Sequence, residues 1–166
     1  MASALKNLSS FSIEGIPNGA KGMKFGIVVS EWNTEITEAL YQGAINTLMN
    51  YGAANKNIIR KNVPGSYELT LGAQYFTEYT KVDVVICLGC VIQGETRHFD
   101  FICNAVANGL TNLSIKYNTP IIFGVLTPNT LQQAKDRSGG KHGNKGDEAA
   151  ITAIKMVALK KEFTKK

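Results

Sequence analysis

Metal-binding and redox-active side chains are scarce in this chain of 166 residues, which has two histidines, three cysteines and one tryptophan. The histidines, His98 and His142, stand far apart, and no H-E-x-x-H occurs, so little favours a metal centre. Cys87-Leu-Gly-Cys90 fits C-x-x-C, but the remaining Cys103 cannot complete a second pair. Cys87 falls in a predicted strand, where residues three apart face opposite ways. Free, mostly buried thiols are the expectation. No apolar run reaches the roughly 18 residues of a membrane span. The opening Met-Ala-Ser-Ala-Leu-Lys lacks a signal-peptide core. A cytoplasmic protein without a membrane partner follows as the expectation. Also missing are the P-loop pattern, G-x-G-x-x-G and the G-x-S-x-G elbow.

What remains is an ordinary globular composition, 44% hydrophobic, with a length that suits one domain. The net charge is +5, and three of the last six residues are lysines. No nucleic-acid motif accompanies this charge, so a solvated helix end is preferred over nucleic-acid binding.

Strand and helix patterns alternate along the chain. Predicted strands cover Phe25–Ser30, Asn57–Val63, Val82–Leu88 and Pro120–Leu126, each short and aliphatic in the manner of central parallel strands. Helical stripes run through Ile36, Leu40, Ala44 and Leu48; Leu69, Gly72, Ala73 and Phe76; Ile102, Ala105, Val106, Gly109 and Leu113; and Ala150, Ile151, Ile154, Val157 and Ala158. A short helix is expected near Thr130–Asp136, and Gly52 is placed to stop the first helix. The pattern predicts an α/β fold, a three-layer αβα sandwich with a central parallel four-stranded sheet. Residues 1–22 fall outside the alternation. They read as an N-terminal arm, with Phe11-Ser-Ile13 as an edge strand, before a single domain over 23–166. A frayed tail is the competing reading.

Ligands of open α/β sheets bind beyond the carboxyl ends of the strands. There the chain places Glu31, Trp32, Asn33 and Thr34; Pro64 to Glu68; Gly89 to Asp100; and Thr127, Pro128 and Asn129. Trp32, in a polar context, reads as a stacking surface for a flat heterocycle more readily than as a core residue. Thr34 is placed to cap the following helix. Ser66 is either an N-cap or a ligand contact, and Glu68 suits a helix dipole or ligand hydroxyls equally. The loop GCVIQGETRHFD leads into a helix expected to begin near Asp100. Backbone N–H groups at such a start attract anions, and His98 beside them can move protons near neutral pH. Residues 135–148, rich in glycine, lysine and arginine, read as a mobile basic loop that could clamp a phosphate, with Arg137 as a fork donor, or as a plain surface connection.

Four segments in register, Trp32-Asn33-x-x-Ile36-Thr37, Val63-Pro64-Gly65-Ser66-Tyr67-Glu68, GCVIQGETRHFD and Gly143-Asn-Lys-Gly146, resemble the 6,7-dimethyl-8-ribityllumazine synthase family. The resemblance runs from about Phe25 to the C-terminal helix and implies a flavodoxin-like fold. It implies a transferase of riboflavin biosynthesis that condenses 5-amino-6-(D-ribitylamino)uracil with 3,4-dihydroxy-2-butanone 4-phosphate. By this resemblance Trp32, with Asn33, stacks on the pyrimidine, and Ser66, Tyr67 and Glu68 bind the ribityl chain and ring. Cys90, Val91 and Ile92 line the ring site. Glu95 and Thr96 hold the phosphate, and His98 is the catalytic proton-transfer group. Phe123 and Arg137 come from an adjacent subunit, Arg137 onto the phosphate, and Lys145 assists at the ring site. No cofactor or metal is implied. The implied partners are copies of the chain, in pentamers or shells of twelve pentamers, with riboflavin synthase as a further candidate. Gln93, Arg97, Ser66, Tyr67 and Thr70 depart from the commonest pattern. A catalytically inactive flavin- or lumazine-binding shell protein is the alternative.

Overall fold

The structure, a computed structural model, describes residues 15–16 and 18–164. The expected edge strand at Phe11–Ile13 lies outside the described residues. Four parallel strands form the central sheet in the order β2-β1-β3-β4: β1 Phe25–Ser30, β2 Ile58–Val63, β3 Val84–Cys90 and β4 Ile121–Leu126. Five helices accompany them: α1 Thr34–Asn50, α2 Leu69–Tyr79, α3 His98–Tyr117, α4 Leu131–Arg137 and α5 Lys145–Thr164. One face carries Phe25, Ile27, Val29, Ile86 and Leu88 against α1 and α5. The other carries Val28, Val85, Cys87 and Val125 against α2 and α3. The predicted three-layer α/β architecture is therefore the observed one.

Residue choice explains which strands are central. Every residue of β1 and β3 is buried, because both faces of each strand meet helices. By contrast β2 is an edge strand, not the central one its aliphatic ends suggested. Its middle is Arg60-Lys61-Asn62, and Ile59 is exposed. Charge on an edge blunts unwanted pairing. Arg60 also forks onto Glu38 of α1 and stacks over Tyr41, tying edge to helix. A 3-10 turn at Asn55–Asn57 takes the first residue of the predicted strand.

Helix ends follow local chemistry, with some departures from expectation. Gly52, at φ 94°, lies just past α1, where a left-handed residue ends a helix cheaply. The N-cap of α1 is Asn33 rather than Thr34, whose hydroxyl instead donates to the Glu31 carbonyl. Helix α3 starts at His98, two residues before the expected Asp100. Thr130 does cap α4, accepting from the Gln133 N–H.

The basic stretch 135–148 is not an open loop. It closes as an antiparallel hairpin, β5 Ser138–Gly140 with β6 Gly143–Asn144, and α5 begins directly after it. Asn144 fastens this corner to α1: its amide donates to the Ala39 carbonyl and its Oδ1 accepts from the Gly146 N–H. At Gly146 a Cβ would lie 1.9 Å from the Leu40 carbonyl oxygen, so α5 can meet α1 only through glycine. Ahead of β1, Ala20 and Met23 are core residues, so the end of the expected arm packs on the domain.

Candidate active site

The sequence runs β1 to β2 on one side, then crosses to β3 on the other, so the switch point lies between β1 and β3. Backbone pairing continues past the strand ends there. Glu31 and Trp32 donate to the carbonyls of Val63 and Pro64, and Val91 and Gln93 to those of Leu126 and Pro128. The residues that follow each strand thus stand on an extension of the sheet rather than on loose loops.

A cavity of about 660 Å³ opens on this rim. It brings together Trp32, Asn33, Ser66, Tyr67, Glu68, Cys90, Val91, Ile92 and His98, all expected from sequence. Gly65 and Ile102 line it too and were not singled out as site residues. Ile102 looked like one more member of the α3 stripe, and Gly65 like a plain turn.

Each wall has a local cause. Asn33 adopts the left-handed region, φ 58°, and its Nδ2 donates to the Cys90 carbonyl at 2.9 Å, latching the end of β1 to the end of β3. Trp32 is 71% exposed and Tyr67 57%, so two flat rings face the opening with little packing of their own. Glu68 stands at the N-cap of α2, without a side-chain capping bond. Ser66 does not cap α2. Its carbonyl accepts from the Leu69 N–H, while its hydroxyl is buried without a partner. That hydroxyl rests against Gly89, where a Cβ would lie 2.6 Å from Oγ. His98 is exposed as the first residue of α3, and its backbone N–H donates to Thr96 Oγ1 at 3.3 Å. Glu95 and Thr96 are exposed just ahead of that helix start, beside the cavity rather than in its wall.

Cys90 is the last residue of β3, not part of the loop as expected. Cys87 and Cys90 belong to opposite faces of the sheet, as their spacing predicted. Burial raises the Cys90 thiol to about 11 and pushes that of Cys87 higher still. Neither is a thiolate at neutral pH, so a cysteine nucleophile does not fit this site.

Three expected residues lie away from the cavity within the chain. Phe123 is partly exposed on the edge strand β4. Arg137 and Lys145 sit at the α4–α5 corner and share one partner that the sequence did not flag, Glu148. Arg137 Nη2 donates to Glu148 Oε1 at 2.9 Å and Nη1 to the His142 carbonyl at 2.8 Å. Lys145 Nζ donates to Glu148 Oε2 at 3.0 Å. Arg137 is therefore held in a packed corner rather than on a mobile loop.

A parallel sheet in this order, with a cavity at its switch point walled by aromatic, acidic and imidazole side chains, defines a flavodoxin-like α/β protein with a small-molecule site. The sequence model of a family described as 6,7-dimethyl-8-ribityllumazine synthase matches residues 22–161. A protein of that name from Cytophaga hutchinsonii is 65% identical over 158 residues, covering 95% of this chain and 98% of the relative. Others of the same name come from Parabacteroides distasonis, 53% identical over 95% of this chain and 98% of the relative, and Flavobacterium psychrophilum, 57% identical over 98% and 85%. The chain belongs to the 6,7-dimethyl-8-ribityllumazine synthase family.

Proposed function

We propose that the protein is a transferase that condenses 5-amino-6-(D-ribitylamino)uracil with 3,4-dihydroxy-2-butanone 4-phosphate. The products are 6,7-dimethyl-8-ribityllumazine, phosphate and water, the penultimate step of riboflavin biosynthesis. One observation carries this reading: the residues of the family's motifs from three separate strand ends meet in a single cavity. His98 in its wall favours the enzyme over an inactive binding shell.

In the proposed site the pyrimidine stacks on Trp32, beside Asn33. Ser66, Tyr67 and Glu68 take the ribityl chain, and the Cys90-Val91-Ile92 backbone borders the ring. The butanone phosphate lies at the start of α3 by Glu95 and Thr96, where the N-terminal end of a helix favours an anion. The ring's 5-amine attacks the ketone carbonyl, and water leaves to give an imine. Phosphate is then eliminated, and the ribitylamino nitrogen closes the second ring with loss of another water. His98, in the cavity wall at the start of α3, is placed to take and return these protons. Holding both substrates against a rigid rim supplies much of the rate by orientation. The scheme requires no redox cofactor and no metal.

Phe123, Arg137 and Lys145 fit this scheme as contributions to a neighbouring subunit's cavity, Arg137 on the phosphate. The working form is then a homo-oligomer, a pentamer or a shell of twelve pentamers. One feature supports assembly. An apolar groove of about 610 Å³ runs between the open edge of β2 and α2, bordered by Ile59, Leu71, Tyr75 and Tyr79. The N-terminal residues of a neighbouring copy suit it as an arm reaching from the 23–166 domain. Cytoplasmic location and riboflavin synthase as a partner belong to the same proposal; among the described residues, no helix is long and apolar enough to cross a membrane. The test is direct. Purified, assembled protein given both substrates is expected to form a fluorescent lumazine and release phosphate one for one. Assembled protein that yields no lumazine overturns the reading.

A further inference from the structure

We propose that Glu148 is a positioning residue for the phosphate: it holds the Arg137 guanidinium so that the unused N–H groups of that side chain face the substrate. The inference rests on the proposed role of Arg137 as phosphate anchor and goes beyond it by naming what aims the anchor.

Glu148 is only 7% exposed, and its two oxygens are divided between two cations, Oε1 to Arg137 and Oε2 to Lys145. A buried carboxylate is retained at low cost only when paired in this way. Arginine has five N–H donors in a rigid plane. Here Nη2 is bonded to Glu148 and Nη1 to the His142 carbonyl, so two directions in the plane are fixed and the others remain for an anion. The His142 carbonyl is itself held, because the His142 N–H donates to the Asp136 carbonyl and the hairpin closes around it. Lys145 offsets the carboxylate charge, leaving one positive charge in excess across the three side chains.

Charge alone predicts the opposite of positioning, which makes the two separable. A carboxylate near a phosphate site repels phosphate, so deleting it should tighten binding. If Glu148 instead aims Arg137, deleting it loosens the guanidinium and weakens binding. The experiment uses the assembled full chain and reads the inhibition constant of inorganic phosphate and the KM of the phosphorylated butanone. The KM of the ribitylaminouracil serves as reference, and light scattering reports assembly. Glu148→Ala is expected to weaken both phosphate readouts on the order of tenfold, the scale of one charge-assisted hydrogen bond, with a smaller rise in the ribitylaminouracil KM because Lys145 loses its Glu148 bond as well. Glu148→Gln keeps an oxygen for Arg137 Nη2 and removes the charge, so phosphate should bind as tightly as in the parent or more tightly. Phosphate affinity that is unchanged or improved in Glu148→Ala overturns the proposal. So does a tenfold loss in Glu148→Gln, which decides the matter even if the alanine variant does not assemble. Arg137→Ala separates the two readings: if it leaves phosphate affinity intact, the anchor itself is misassigned, whatever Glu148 does.

Discussion

At the carboxyl rim of the sheet, Trp32 and Tyr67 lie open to solvent and Ser66 keeps a buried hydroxyl without a partner. At the α4–α5 corner, Arg137, Lys145 and Lys141 are all bonded to Glu148 or Asp136, and Asn144 bonds at both ends of its amide. The two regions are built from comparably polar sequence but handle it differently. The rim leaves hydrogen-bonding and stacking capacity unspent on a rigid backbone, which is what a binding surface needs. The corner spends its capacity internally, which turns a glycine-rich basic segment into a fixed structure. Polarity alone therefore does not mark a site; what matters is whether partners within the chain have already answered it.

Mutations should break the two regions in different ways. The largest effect is expected at Gly146, where an alanine Cβ would meet the Leu40 carbonyl at 1.9 Å. Gly146→Ala should cost roughly 3 kcal/mol or more, since backbone must move rather than a side chain. Thermal or denaturant unfolding checks this, and a variant as stable as the parent would mean that the corner is more pliant than its packing indicates. At the rim the loss should appear in kinetics and not in stability. His98→Ala is expected to slow turnover on the order of 10²-fold, as for one lost acid–base group. Trp32→Ala should raise the KM of the heterocyclic substrate about tenfold, since an exposed ring has little folding role to lose. Steady-state kinetics and melting curves on both variants would separate these outcomes. A large drop in melting temperature for either would place the rim with the corner.

The smallest effect should come from acid. Arg60 holds the Glu38 carboxyl below its ordinary value of 4.5, chiefly by hydrogen bonding. The ion pair's contribution is present above that value and is lost as pH falls through the lowered one. Because both groups are partly solvated, Arg60→Met should cost no more than roughly 1 kcal/mol at neutral pH, and the difference from the parent should vanish under acid. Denaturant midpoints against pH would show it. A deficit that persists at low pH would trace the coupling of β2 and α1 to packing over Tyr41 instead.

The layered fold was legible because buried strands and amphipathic helices write their periodicity directly into the order of apolar residues. Edge position was not, since Ile58 and Val63 look alike whether a strand has one neighbour or two, and only the charges at Arg60 and Lys61 hinted at β2's place. The cavity was legible through the strand ends, which topology forces together. The corner was not, because its order comes from partners distant in sequence: Asn144 reaching Ala39, and Arg137 reaching Glu148 from eleven residues away. Composition suggested mobility there, and pairing removed it. Ser66 shows the limit from the other direction. Its sequence context suited a cap, yet the carbonyl satisfies the Leu69 N–H and the hydroxyl turns toward Gly89.

Asn33 leaves the chain little freedom to vary at one point of the rim. Position 33 must accept a positive φ and must also deliver an N–H to the Cys90 carbonyl. Glycine would satisfy the first demand and drop the second. Aspartate tolerates the backbone but, when ionised, presents only acceptors to a carbonyl. Alanine or a β-branched residue would strain the turn and lose the latch together. An amide on a short stem meets both demands, so drift at this position would unlatch the end of β1, which carries Trp32, from the end of β3 while Trp32 itself stayed unchanged.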